Sequence, residues 1–192
     1  AAKWGHGFFE PKILFEAAGA AGLLGLQVPH EFGGQALSFR DKVMVLETLA
    51  RADFCAAMAL VNSHNVAVQL TKCSPDILAP LYVPGLLSGS TVACTALTEP
   101  GSGSDFAQLQ TFATRSGDGW VLNGAKTWII NAAHADNVVV YAQTQSGAGV
   151  KGIAVFYVSA QAAGFKRVPT ATSSTLSSMG VGGFELNNVY CE

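Results

Sequence analysis

Charge is what this sequence has least of. Lysine and arginine together number 11, aspartate and glutamate 13, in 192 residues, for a formal net charge of -2. No basic cluster breaks that balance, so the electrostatic footprint of a nucleic-acid binder is missing. Long apolar runs are lacking too. The longest uncharged stretches are Phe54–Thr71, broken by Asn62, Ser63, His64, Asn65 and Gln69, and Ile77–Thr98, broken by Pro80, Pro84 and several hydroxyls. Neither resembles the roughly 20 apolar residues of a membrane span, so both are expected as buried segments and no span is expected. The four cysteines, Cys55, Cys73, Cys94 and Cys191, lie far apart without C-x-x-C or metal-ligand spacing. They are expected to be reduced core thiols of an intracellular protein, and no metal site is expected. H-E-x-x-H and G-x-S-x-G are absent, which removes the metalloprotease and α/β-hydrolase signatures. The opening AAKWGHGFFE has no signal-peptide or Arg-rich transit pattern, and the N-terminus is expected to have been lost.

Apolar residues make up 49% of the chain and mean hydropathy is +0.32. That excludes a disordered tail and implies apolar surface intended for a partner or for further chain. The length suffices for one large or two small domains.

The pattern changes character near residue 90. Before it, helical periodicity dominates. Pro11 opens a helix to about Leu24, with Ile13, Leu14, Ala17, Ala18, Ala21 and Leu24 as its apolar stripe and Gly19, Gly22 and Gly25 serving close packing and a stop. Ser38 with Asp41 resembles a capping box for a helix through Ala50, whose apolar face is Val43, Leu46, Leu49 and Ala50, with Lys42 outside it. Asp53 caps a helix from Phe54 to about Leu70, in which His64 is expected as a hydrogen-bonded interior residue. A fourth helix, Asp76–Leu87, is disturbed by Pro80 and Pro84. After residue 90, short β-branched and aromatic runs alternate with glycine turns. The strands expected are Thr91–Leu97, Gln110–Arg115, Trp120–Leu122, Lys126–Ile130, Val138–Thr144, Ile153–Val158 and Phe184–Tyr190, with a hairpin turn at Asp118-Gly119, a looser one over Ser146–Gly149 and a hydroxyl-rich surface loop over Thr170–Ser178. The expected class is α+β: a helical bundle over 1–90, then an antiparallel β-barrel-like domain over 91–192.

The chemistry concentrates in Val92–Asp105, a short apolar strand that breaks at Pro100 into a loop of glycines and hydroxyls, Gly101 to Ser104. Such a loop lets backbone N–H groups wrap an electron-rich or anionic ligand. Gly101-x-Gly103 begins like a dinucleotide fingerprint, but Phe106 stands where the third glycine belongs, and strand rather than helix follows. Gly119–Thr127 is one residue out of register for a P-loop. The loop serines have no base evident in the sequence.

The string Ala96-Leu97-Thr98-Glu99-Pro100-Gly101-Ser102-Gly103-Ser104-Asp105 closely resembles the flavin signature of the acyl-CoA dehydrogenase family, x-x-T-E-P-G-x-G-S-D. Asn123–Asn131 resembles that family's next signature, N-G-x-K-x-W-I-T-N, and Ala21–Gly34 its N-terminal helical pattern. The resemblance covers nearly the whole chain. It implies FAD as cofactor, with Thr95, Ala96, Leu97, Thr98, Gly103, Ser104, Trp128, Ile129 and Ile130 as flavin-binding positions. Thr98 would meet N1/O2, Trp128 would pack on the ring, and Ser104 would contact the thioester substrate. It implies removal of a proton α to an acyl thioester while a β hydride passes to flavin N5. It further implies an acyl-CoA or acyl-carrier thioester substrate, an electron-transfer flavoprotein or similar acceptor and a homo-oligomer (tetramer or dimer). The implied location is cytoplasmic, or the mitochondrial matrix in a eukaryote.

Three departures accompany the resemblance. The family's catalytic carboxylate belongs to a C-terminal helical domain that these residues do not include. Glu99 and Asp105 match structural positions, so the catalytic base is left unassigned. Ile130 stands where the family has the threonine of W-I-T. The segment Ser178–Leu186 resembles the family's M-G-x-x-x-x-D-T-x-E-L shortened by several residues. The alternatives are a non-catalytic subunit packed against a complete homologue and, from Ile130, an oxidase or carrier-protein desaturase.

Overall fold

The computed structural model describes residues 10–170 and 179–192. Two compact units divide between Ala93 and Cys94, one holding residues 10–93 with 179–180, the other 94–170 with 181–192. The fold is α+β: helices make the first unit and a curled, mixed sheet the second.

The helices are α1 (Pro11–Ala20), α2 (Phe39–Ala52), α3 (Phe54–Cys73) and α4 (Leu78–Ser88). Their starts follow local chemistry. Pro11 occupies the first turn of α1. At α2, Ser38 Oγ accepts from Asp41 N at 3.2 Å while Asp41 Oδ2 accepts from Ser38 N at 3.2 Å, a complete capping box. Asp53 Oδ1 accepts from Ala56 N at 2.9 Å and caps α3. The long helix α3 is central, burying among others Leu60, His64, Val66 and Leu70, and the core gathers Phe15, Ala18, Leu24, Ala59 and Leu60. His64 Nδ1 donates to the Leu24 carbonyl at 3.0 Å, and burial pushes its imidazole below the usual value, so it is the interior histidine expected.

Three expectations for this unit are corrected. Of the expected α1 stripe, Ala18 and Leu24 are buried, but Ile13 is 59% exposed and Phe15, outside the stripe, is fully buried. Alanines score as apolar on any face, and only Phe15 has a volume that demands the interior. In α2 the buried residue is Lys42, its Nζ donating to Asn65 Oδ1 at 2.9 Å and lying 5.4 Å from the Phe39 ring centroid, while Val43 and Met44 are open to solvent. A lysine stem packs as a hydrocarbon while its head keeps a partner. All four cysteines are free thiols, but Cys73 is exposed rather than in the core.

The glycines behave as spacing predicts. A Cβ on Gly19 would collide with the Ser88 carbonyl, and Gly22, at φ +74°, ends the first helical stretch.

The second unit holds seven strands: β1 (Ala93–Ala96), β2 (Phe112–Ser116), β3 (Gly119–Ile129), β4 (Asn137–Gln143), β5 (Ile153–Ser159), β6 (Phe165–Pro169) and β7 (Gly182–Cys191). Their order is β1-β4-β2-β3-β7-β6, with β5 also on β4. All pairings with a defined register are antiparallel except β2 with β4, which run parallel at Phe112 and Gln143, so the sheet is mixed. Two of the expected strands fuse into β3, and β6 was not anticipated, its Lys166 and Arg167 masking the alternation. The hairpin turn falls one residue early, on Gly117-Asp118, with Gly117 at φ +60° and Ser116 paired to Gly119. Leu122, Val138, Val140, Phe184 and Val189 fill the core. The hydroxyl-rich segment over 171–178 lies outside the described residues.

Gly89 closes α4 at φ +75°, and a Cβ there would strike the backbone of Phe15. Gly89→Ala is expected to lose about 1–2 kcal/mol from handedness alone and more from the collision. Denaturant unfolding with an unchanged midpoint would show that α1 does not pack against the end of α4.

Candidate functional site

The two signature segments meet in the second unit. The Thr127 amide donates to the Thr98 carbonyl at 3.0 Å, so the start of the Ala96–Asp105 string lies directly beside the Lys126–Asn131 segment. A buried ion pair underlies the junction. Lys126 Nζ donates to Glu99 Oε1 at 2.9 Å, to the Leu97 carbonyl at 3.1 Å and to the Tyr141 carbonyl at 2.7 Å. All three ammonium donors are thereby used. Glu99 also accepts from the Gln110 amide at 2.7 Å and the Thr111 amide at 2.9 Å. The side chains of the pair are 0% and 4% exposed.

Burial acts on both charges. It would raise the Glu99 carboxyl, but hydrogen bonds from Thr111, Lys126 and the Gln110 amide outweigh it and hold Glu99 below the usual carboxylate value. Burial pushes the Lys126 ammonium down, opposed by the hydrogen bond and charge of Glu99. A carboxylate so fully engaged is poorly suited to abstract a substrate proton. Asp105 is engaged too, Oδ1 accepting from the Ala107 amide at 3.1 Å.

The loop after Glu99 closes on itself. Glu99 and Ser102 exchange backbone hydrogen bonds of 2.9 and 3.2 Å, and Ser102 Oγ donates to the Asp105 carbonyl at 2.9 Å. Gly101, Gly103 and Ser104 are left exposed. A Cβ at Gly101 or Gly103 would meet nothing within 4 Å, so the chain's own packing does not require glycine at either position.

Trp128 is the most informative residue. Simple alternation from buried Leu122 through Lys126 would turn position 128 into the core. Instead one extra residue enters β3 between Lys126, paired to Phe184, and Ile129, paired to Gly182. Trp128 takes φ +57° in this bulge and is 57% exposed, while Ile129 is 3% exposed in the core. A left-handed tryptophan is strained, at a cost of order 1–3 kcal/mol, and here the strain delivers a large aromatic face to solvent. The following turn is pinned by Arg167, whose Nε donates to the Ala132 carbonyl at 3.1 Å and whose second guanidinium nitrogen donates to the Ala135 carbonyl.

The other nominated residues divide by side. Ala96 and Ile129 turn their side chains into the core and can offer a ligand only backbone groups. Thr95, Leu97, Thr98 and Ile130 are half-buried, and Gly103 and Ser104 are exposed. The sequence reading missed the clamp formed by Lys126 with Glu99. Its signal was present: a lysine on the same strand face as Leu122 must find an acceptor. Among the described residues, no group of three or more His, Cys, Asp or Glu could hold a metal ion, and no helix is long and apolar enough to cross a membrane.

A family model for the acyl-CoA dehydrogenase N-terminal domain matches residues 1–90, and one for the acyl-CoA dehydrogenase middle domain matches residues 94–189. The human short-chain specific acyl-CoA dehydrogenase, mitochondrial, is 37% identical over 151 residues, covering 77% of this chain and 36% of that protein. The isovaleryl-CoA dehydrogenase, mitochondrial, of Pongo abelii is 32% identical over 168 residues, covering 86% and 38%. The crystal structure of a glutaryl-CoA dehydrogenase from Mycobacterium smegmatis in complex with FADH2 matches with a TM-score of 0.90 at 26% identity, over 98% of this chain and 48% of that one. This chain therefore spans less than half the length of each.

The depressed Glu99 value is expected to set the acid limit of the second unit. Its contribution to stability is full above the ordinary carboxylate range and is lost as pH falls through the folded-state value. Glu99→Gln is expected to cost about 3 kcal/mol at neutral pH and to flatten the acid limb of a stability–pH curve from urea melts. An acid limb as steep as wild type would mean that other carboxylates set it.

Proposed function

We infer that this chain, which belongs to the acyl-CoA dehydrogenase family, holds the isoalloxazine end of FAD and part of the substrate site of an FAD-dependent oxidoreductase acting on acyl thioesters. The observation that carries this reading is Trp128, set outward by a bulge at a left-handed φ, beside the Thr98 backbone. An isoalloxazine has broad apolar faces and one polar edge. The exposed indole suits a face, and Thr95–Thr98, half-buried apart from the core-facing Ala96, offers hydroxyl and backbone donors for the edge. Gly103 and Ser104 add open backbone at the side where a thioester would lie, and Ser104 is the substrate contact proposed. The residues present thus fit the group. When bound, FAD would supply the hydride acceptor. This chain's share is to hold it, orient the thioester and shield one ring face from water. Ile129 and Ile130 contribute backbone groups along the ring.

The functional division we propose is a helical domain over 1–90 and a flavin-bearing β domain over 91–192. The proton-abstracting carboxylate is neither Glu99 nor Asp105, since each is already engaged. The proposed substrate is an acyl-CoA or acyl-carrier thioester, and the proposed acceptor is an electron-transfer flavoprotein or similar carrier. A homo-oligomer in the cytoplasm, or in the mitochondrial matrix of a eukaryote, completes the reading. Ile130, half-buried two residues from the exposed indole, supports a second reading as an oxidase or carrier-protein desaturase. It places a hydrocarbon where a hydroxyl would tune the ring.

Trp128→Ala tests the reading because the indole is exposed. Stability is expected to change by no more than about 0.5 kcal/mol, while FAD affinity, followed by flavin fluorescence quenching, is expected to drop about tenfold through loss of an aromatic contact. Unaltered affinity would remove the indole from the site.

A further inference from the structure

We propose that Lys126 and Glu99 are positioning residues. Together they lock the Leu97–Thr98 and Thr127–Trp128 backbones into one preformed platform before any flavin arrives. The proposal rests on the flavin reading above and adds to it a cause for the platform's geometry.

Of the three acceptors on Lys126 Nζ, the Leu97 carbonyl belongs to the residue before Thr98, and Glu99 is the residue after it. The ammonium therefore holds both neighbours of Thr98, Leu97 by its main-chain carbonyl and Glu99 by its side-chain carboxylate. Lys126 itself precedes the bulge that carries Thr127 and Trp128. The bridge closes with the Thr127 amide on the Thr98 carbonyl at 3.0 Å. The resulting ring joins Thr98, Glu99, Lys126 and Thr127 through one buried ion pair and one backbone hydrogen bond. The third acceptor, the Tyr141 carbonyl, ties this ring to β4, and the Gln110 and Thr111 amides on Glu99 tie it to the segment entering β2.

A residue held left-handed at φ +57° does not hold itself in place, because such strain persists only where the surroundings over-determine it. Arg167 fixes the carbonyls of Ala132 and Ala135 on the far side of Trp128. Lys126 is the corresponding anchor on the near side. The bulge is thus spanned by two cations whose hydrogen bonds go largely to main-chain carbonyls. The consequence for binding is preorganisation: a platform already built spares the ligand the cost of ordering it.

The experiment compares wild type, Lys126→Met and the milder Glu99→Gln in the full protein by residue-resolved amide hydrogen exchange and by FAD titration. Glu99→Gln keeps a carbonyl acceptor for Lys126 and serves if Lys126→Met does not fold. In the folded variants, protection of the Gln110, Thr111 and Thr127 amides should fall, while the β4–β5 ladder stays protected. FAD affinity should weaken about tenfold or more, as expected for lost preorganisation. Protection lost uniformly across the sheet would mean the pair only stabilises the unit globally and would overturn the proposal. So would wild-type protection at Thr127 together with wild-type affinity. If wild type itself binds no FAD, the flavin reading fails, and the exchange pattern alone decides the clamp: selective loss supports it, and uniform loss or none rejects it.

Discussion

An ammonium group with no water to turn to governs the architecture of the β unit. Lys126 Nζ sits with its side chain 0% exposed and satisfies itself with one carboxylate oxygen and two carbonyls drawn from different parts of the chain. Removing such a charge from water costs several kcal/mol unless every donor is met. The chain therefore has little freedom in how the end of β1, the middle of β3 and the end of β4 are arranged. A hydrophobic residue at position 126 would fill the same space without dictating those three partners. What the ion pair contributes is direction.

Two bulges on the same pair of strands extend that logic. Along β7 the extra residue falls at Asn187-Asn188, where Asn188 takes φ +53° and exchanges hydrogen bonds with Asn123 at 2.9 and 3.2 Å. Asparagine tolerates the left-handed region and supplies its own stabilising side-chain bonds. Along β3 the extra residue falls at Thr127-Trp128, where the left-handed residue is a tryptophan with no such local remedy. The first bulge bears the marks of a sheet correcting its curvature cheaply. The second is a place where backbone comfort yields to the orientation of one ring.

Much of this was legible in the residues. Ser38 with Asp41, Asp53, and the glycines around α1 announced caps, stops and close approaches because each acts within a few residues of itself. The resemblance in the Ala96–Asp105 and Asn123–Asn131 strings located the junction that the Thr98–Thr127 hydrogen bond makes. What escaped depends on partners distant in sequence. Phe15 rather than Ile13 faces the core because volume, not periodicity, decides among apolar residues of a short helix. Lys42 was assigned to the outside by its charge, and its hydrocarbon stem took it inside. The resemblance implied an available Trp128, but the bulge that turns it outward was hidden, because an extra residue in a strand leaves no mark in composition.

Gly101 and Gly103 carry a different kind of information. Space around both is open, and neither adopts a left-handed φ. Selection acting on fold alone would treat the two as free sites, and drift would soon replace them with residues of lower chain entropy. Their place beside the engaged Glu99 and Ser102 divides the loop into positions answerable to folding and positions answerable to whatever visits it. The history of such a loop would thus run on two clocks, and a lineage that had lost its ligand would first show it at the glycines.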